Sequence, residues 1–205
     1  NDARLSSSTI SRGSGVTAAA NGGRFNSTNW TTAASIDAND YVEFTVTPLA
    51  SKLFSITSVV MQSQRSGTGP VTFVIRSSVD SYATDLTAPA TLLDNTSTQT
   101  STFTFSVVNS SAAITYRIYG YNAEGSGGSW GPGDGTGNDI VVNGSTADAG
   151  GTNLSAGALT AFGAQCINAG PYGPNTFTIS GTALTSADVT VAALSGFEYS
   201  STGGA

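Results

Sequence analysis

Residues 64–80, which read QRSGTGPVTFVIRSSVD, bring glycines, arginines, hydroxyls and a carboxylate together in a pattern that could bind phosphate. A P-loop ends in Gly-Lys-Ser or Gly-Lys-Thr and opens a helix, and a dinucleotide-binding turn needs a third glycine and a helix. Here the glycines are followed by proline and by VTFVI, which is typical of a strand. We therefore predict a hairpin loop whose glycines accept positive φ.

The serines of this stretch do not have the partners that a hydrolytic nucleophile needs. The chain contains no histidine, and Lys52 is the single lysine that a Ser-Lys pair could use. We expect Ser78 or Asp80 to bind turn backbone and an arginine to pair with the acid. Cys166 is the only cysteine, and we expect it to be a small buried side chain. The sequence therefore predicts a protein that is not an enzyme.

A second candidate site is the glycine-rich loop at residues 125–139. Asp134, Thr136 and Asn138 occupy alternate positions and Asp139 follows them. Oxygen ligands on such a loop suit a structural Ca²⁺ ion, so Asp134, Asn138 and Asp139 are the predicted metal ligands. The alternative is a polar connecting loop without a metal.

Aromatic residues provide a third candidate site. Trp130, Tyr119, Tyr121 and Trp30 could form a platform on which the apolar faces of sugar rings stack. Buried sandwich cores use the same residue types, and we expect at least one of the two tryptophans to lie in the core.

The elements that must position these residues are strands. Hydrophobic residues make up 39% of the 205 residues and charged residues only 10%. Apolar side chains alternate with polar ones over many short runs, which predicts an all-β fold. We expect an antiparallel jelly-roll-like β-sandwich over residues 1–145, a linker at 146–157 and a small, partial Ig-like β unit at 158–205.

Charge limits the classes of partner. The chain has 13 acidic and 7 basic residues and a net charge of −6, so we expect no binding to nucleic acid, which requires clustered lysine and arginine. The sequence contains no apolar run long enough to insert into a membrane. The low lysine content and the abundance of serine, threonine and asparagine favour an extracellular or cell-surface location.

Four phrases of the first part carry a resemblance to a known class of module: FNSTNWTT, NDYVEFTV, RSGTGPVTFVIRSSVDSYATDL and ITYRIYGYNAEGSGGSW, closed by NDIVVNG. They resemble a β-sandwich module of large secreted and cell-surface proteins of Bacteroidota-type bacteria. The phrase FTISGTALTSADVTVAALSGFEYS is similar to the first half of an Ig-like repeat that often follows it. The resemblance implies a jelly-roll-like sandwich in an extracellular setting, and it implies no catalytic residues.

Three functions are compatible with these observations. The first is a non-catalytic extracellular module for adhesion or cell-surface architecture, with a glycan or another surface polymer as its partner. The second is the subunit of an extracellular filament, in which half an Ig-like sandwich leaves an open β edge for self-association by strand exchange or β-augmentation. The third is an accessory module of a longer secreted hydrolase.

Overall fold

The structure is a computed structural model that describes residues 2–6, 8–95, 97–151, 153–158, 163–164, 175–182 and 189–192. It divides into two compact units, Asn1–Ala149 and Gly150–Ala205. Apart from a short 3-10 helix at Ser78–Asp80, the regular structure of the described residues is β-strand, which confirms the predicted all-β fold. The strands are β1 Ser11–Arg12, β2 Thr17–Ala18, β3 Ser27–Thr28, β4 Tyr41–Val46, β5 Lys52–Arg65, β6 Pro70–Ser77, β7 Ala90–Thr91, β8 Gln99–Ser110, β9 Ile114–Ala123, β10 Trp130–Pro132, β11 Ile140–Asp148, β12 Asn153–Ala156 and β13 Ile179–Thr182.

The first unit contains two antiparallel sheets. The first sheet has the order β1-β4-β9-β6-β7. In the second sheet, β5 pairs with β8 along one edge and with β11 and β10 along the other, and β10 continues the sheet to β3 and β2. From β4 to β6 and again from β7 to β10, the chain crosses between the sheets. This alternation fits the jelly-roll-like sandwich expected from the sequence.

One hydrophobic core lies between the two sheets. Successive side chains of a strand point to opposite faces, so every second residue of β4 and β9 is buried. The second sheet contributes the apolar residues of β5 and β8 from the other side. The largest fully buried side chains are Trp30, Trp130, Tyr116, Phe54, Phe73, Phe103, Met61, Ile75 and Ile118.

The long strand β5 departs from simple alternation. The sequence pattern predicts that Phe54, Ile56 and Val60 share one face, but the structure buries Val59 and Met61 and leaves Val60 partly exposed. The pairing of β5 with β8 shifts register between Phe54 and Ile56 and again between Ile56 and residue 58. On the other side, β11 places Asn143 opposite Ser58 and Gly144 opposite Ile56, so Thr57 is an extra residue on β5. Such a bulge exchanges the faces of the residues beyond it.

The glycine-rich loop at residues 66–69 connects two sheets. It is a tight turn in which the Gly69 amide bonds the Ser66 carbonyl at 2.9 Å, but the predicted hairpin is wrong because β5 and β6 belong to different sheets. The prediction of positive φ is also wrong, since neither Gly67 nor Gly69 has it. A Cβ atom at Gly69 would lie 2.3 Å from the Ser129 carbonyl oxygen. Close backbone approach therefore explains the glycine at position 69.

The boundary region differs from the predicted linker. Strand β11 extends to Asp148, where Lys52 of β5 donates a hydrogen bond to the carboxylate at 2.8 Å, so residues 146–148 belong to the sandwich. Residues 153–156 form β12, which pairs with β13 in the second unit. The sequence of the second unit predicts strands at 159–162, 176–180, 189–192 and 197–200. Strand β13 overlaps the second of these and residues 189–192 form no strand, whereas residues 159–162 and 197–200, and Cys166, lie outside the described residues. The Ig-like character of this unit stays a prediction.

Candidate functional site

The outward face of the first sheet gathers aromatic and charged side chains. Antiparallel pairing places Tyr41 opposite Tyr119 and Glu43 opposite Arg117, and β6 adds Arg76 on the other side of Arg117. Their positions alternate with the core positions of the same strands, so their side chains point away from the core, although Tyr119 itself is only 3% exposed. We call this surface, completed by Tyr82 and Asp85 from the following turn, the arginine face.

A row of alternating charge crosses the arginine face. The Arg117 Nε donates to Glu43 Oε2 at 2.9 Å, and the Ser11 hydroxyl donates to the other oxygen of that carboxylate at 3.2 Å. Arg76 Nε donates to Asp85 Oδ1 at 2.6 Å. Two arginines directly opposite each other repel, and the two carboxylates offset that repulsion. The Arg117 and Glu43 side chains remain 24% and 26% exposed, so solvent reaches the pair.

Arg117 is also in contact with tyrosine rings. Its guanidinium carbon lies 4.0 Å from the ring centroid of Tyr41 and 3.9 Å from that of Tyr82, within the range of a cation–π interaction. Partial burial by itself lowers the pKa of Arg117, but hydrogen bonds to Glu43 and Tyr119 raise it overall. Burial raises the pKa of Tyr41 above its ordinary value. The face therefore presents a permanent cation at Arg117 beside a neutral Tyr41 ring at neutral pH.

Tyr82 reaches this position through an unusual turn. Ser81 and Tyr82 have φ of 59° and 63°, which is the left-handed region that non-glycine residues seldom adopt. The Tyr82 amide bonds the Ser77 carbonyl at 2.9 Å, and Arg76 Nη1 bonds the Tyr82 carbonyl at 3.0 Å. Asp80 accepts two backbone hydrogen bonds from the turn that follows, at 3.0 and 3.2 Å, as predicted. The predicted pairing of an arginine with this acid is wrong, because Arg76 pairs with Asp85 instead. Such strain persists where the surroundings hold it, and it is enriched at binding sites.

The predicted sugar platform does not form, because three of its four residues are buried. Trp130 and Trp30 are 0% and 1% exposed, and their rings meet edge-on at 5.3 Å in the core. Tyr119 is 3% exposed, and Tyr121 is half-buried on β9. The prediction is therefore wrong for both tryptophans and for Tyr119, because no ring face is left for a ligand. Trp130 is buried because β10 pairs with β3 on one side and β5 on the other.

The predicted calcium ligands also have other partners. Arg24 donates to Asp134 Oδ2 from both Nε and Nη2, at 2.9 and 2.5 Å. Asp139 Oδ1 accepts a hydrogen bond from the backbone amide of Gly135 at 3.1 Å, and no hydrogen bond within the described residues joins the Asn138 side chain to either acid. No group of three acidic, histidine or cysteine side chains forms within the described part of the chain. Because a guanidinium already neutralises Asp134, this arrangement does not fit a Ca²⁺ site.

A groove of about 840 Å³ opens between residues 2–10 and β11. Its floor is the edge of the core at Phe44 and Ile56, and its walls combine apolar side chains, such as Leu5, Phe25 and Ile140, with serines, threonines and glycines. The charged residues that line it are Asp2, Arg24 and Asp139. Because Arg24 is paired with Asp134, the described residues that line the groove do not form a cluster of reactive groups.

Comparison with models of protein families finds no match, and neither curated proteins nor solved structures include one that matches this chain. Within the described residues, no helix has the length and apolar character needed to cross a membrane.

Proposed function

We propose that the first unit is a non-catalytic extracellular module that contacts glycans of a cell surface or of a surface polymer through the arginine face. The observation that carries the proposal is the Arg117 guanidinium, held against two tyrosine rings and paired with Glu43 on a partly exposed sheet face. Planar guanidinium and carboxylate groups suit the vicinal hydroxyls of sugars, and the remaining ring surface suits their apolar faces.

The chemistry of the face supports binding rather than catalysis. Both of its carboxylates, Glu43 and Asp85, are hydrogen-bonded to arginines at 2.9 and 2.6 Å. The chain contains no histidine that could activate a hydroxyl. A module with this surface would serve adhesion or surface architecture, in keeping with the extracellular composition and the resemblance described above.

The test is binding of the full chain to an array of immobilised glycans. We expect retention on a subset of glycans, with Tyr82→Ala and Glu43→Gln each weakening it by about tenfold, which corresponds to about 1.4 kcal/mol. Val141→Thr, on the opposite sheet, is the matched control and should leave retention unchanged. Circular dichroism confirms that each variant is folded. Absence of binding to every glycan, or equal binding by all variants, would overturn the proposal.

A further inference from the structure

The second sheet has an open edge at β8, at some distance from the proposed glycan face. In the described part of the chain, β8 pairs with β5 and with no other strand. Residues 99–104 pair with residues 58–63 in regular register, before the first register shift. Thr100, Thr102 and Thr104 point outward there, whereas Ser101 and Phe103 are buried. The backbone groups on the free side of this segment are available to a further strand.

This edge has none of the residues that usually prevent edge-to-edge pairing. No charged residue, glycine or proline occurs between Asp94 and Arg117. Natural edge strands are commonly protected by lysines, prolines, bulges or very short length. An alternating, uncharged segment of threonines and phenylalanines is instead typical of strands that pair between chains.

The other edges of the first unit are protected. Strands β1, β2 and β7 have only two residues each. Strand β11 is long, but its regular segments, 140–143 and 144–148, are shorter than the regular segment 99–104 of β8. Its end also carries a charge at Asp148 and binds the N-terminal residues, with Asp2 accepting from Thr146 at 3.0 Å and Arg4 donating to Asp148 at 3.2 Å. The regular part of β8 is therefore the edge that favours another chain.

We infer that β8 pairs antiparallel with β8 of a second copy of this chain. Residues directly opposite in an antiparallel pair share a face, so a two-fold axis at Thr102 is allowed. It places Thr100 opposite Thr104 of the second copy on the outward face, and Ser101 opposite Phe103 on the inward face. The segment is thus complementary to itself, as a closed two-fold contact requires.

Charge further selects this edge. Two copies, each with a net charge of −6, repel each other electrostatically. The electrostatic free energy of bringing them together is least unfavourable where the facing residues are uncharged. The contact is a short strip, well below the roughly 1,200 Å² typical of stable interfaces. Association is therefore weak and depends on protein concentration.

Sedimentation equilibrium of the full chain over a range of concentrations tests the interface. We expect reversible dimers for the natural sequence and a loss of association of at least tenfold for Thr102→Lys, because two ammonium groups would face each other at the axis. Ser145→Lys, on the exposed edge β11, is the matched control and should dimerise normally. Monomers at all concentrations, or loss of dimers in Ser145→Lys but not in Thr102→Lys, would overturn the inference.

Cross-linking gives a positive readout of the same register. In a Cys166→Ser background, Thr102→Cys should form a disulfide-linked dimer on mild oxidation, because opposite residues in an antiparallel pair have Cα atoms about 4.5–5.5 Å apart. Ser145→Cys in that background should stay monomeric. Equal cross-linking at both positions would mean random collision and would overturn the assigned edge.

Discussion

The two outward faces of the sandwich are built by the same alternation of side chains and have opposite chemistry. The first sheet presents the arginine face, where arginines, carboxylates and tyrosines are held in mutual contact. Apart from the Lys52–Asp148 ion pair at one end, β5, β8 and β11 of the second sheet present uncharged residues outward, and we call this surface the hydroxyl-rich face. They include the exposed threonines of β8, the partly exposed Val60 and Gln62 of β5, and Val141 of β11.

The difference shows where each face can bind a partner. On the arginine face, side chains are fixed by other side chains, so its geometry is defined before any ligand arrives, which reduces the entropy lost on binding. On the second sheet, the short threonine side chains leave the strand edge accessible, and backbone groups provide the binding potential. Side-chain recognition and backbone pairing are thus separated onto the two sheets.

The largest loss of stability is expected from a substitution in the core that both faces share. Trp130 of the second sheet is fully buried and lies 4.6 Å from the Phe73 ring of the first sheet. Trp130→Ala should lower the free energy of unfolding by about 3–5 kcal/mol, measured by urea denaturation. Leu93→Ala, at a side chain that is 69% exposed, should change it by less than about 0.5 kcal/mol. Similar small losses in both variants would contradict a shared core.

A smaller change in stability is expected when one residue from each face is substituted. Arg117→Ala leaves the Glu43 carboxylate partly buried without its guanidinium and removes the tyrosine contacts, so we expect a loss of about 1–3 kcal/mol. Thr102→Val, an exposed change of similar shape, should be neutral within about 0.5 kcal/mol. Denaturation midpoints of the two variants check this. If the losses were equal, the arginine face would contribute no more to stability than the hydroxyl-rich face does.

Much of the fold could be predicted from local patterns. The alternation over residues 41–46 and 114–118 correctly identifies Phe44 and Ile118 as core residues, because the pattern alone determines which side chains share a face. The face change within β5 could not be predicted, since a bulge depends on how the partner strand pairs. The hairpin prediction failed for the same reason: a turn sequence does not say which sheet the next strand joins.

The candidate site required information that a single sequence does not contain. Glu43 and Arg117 are directly opposite only because β4 pairs with β9 in one particular register. Tyr82 reaches Arg117 only because of a turn with two left-handed residues, and neither of these is a glycine that would mark it. The sequence does not distinguish a sugar-binding tryptophan from a core tryptophan, because sugar sites and cores use the same residue types. Their pairing partners, which placed them in the core, are distant in the chain.

The smallest expected effect tests the strain behind the arginine face. Ser81 is exposed and has φ of 59° and ψ of 35°, a conformation that costs a non-glycine residue about 1–2 kcal/mol. Ser81→Gly relieves that cost but adds freedom to the unfolded chain, so we expect a net gain in stability of about 0.5–1 kcal/mol. A calorimetric rise in Tm checks the sign.

The control for Ser81→Gly lies two residues earlier. Val79 is 71% exposed within the short 3-10 helix, and Val79→Gly should lower stability because glycine there only adds freedom to the unfolded chain. If both glycine variants lower Tm, the turn holds no strain at Ser81. If Ser81→Gly raises Tm while glycan retention falls, the strained turn keeps the Tyr82 ring in its binding position. In that case, stability is lowered on the arginine face to preserve recognition.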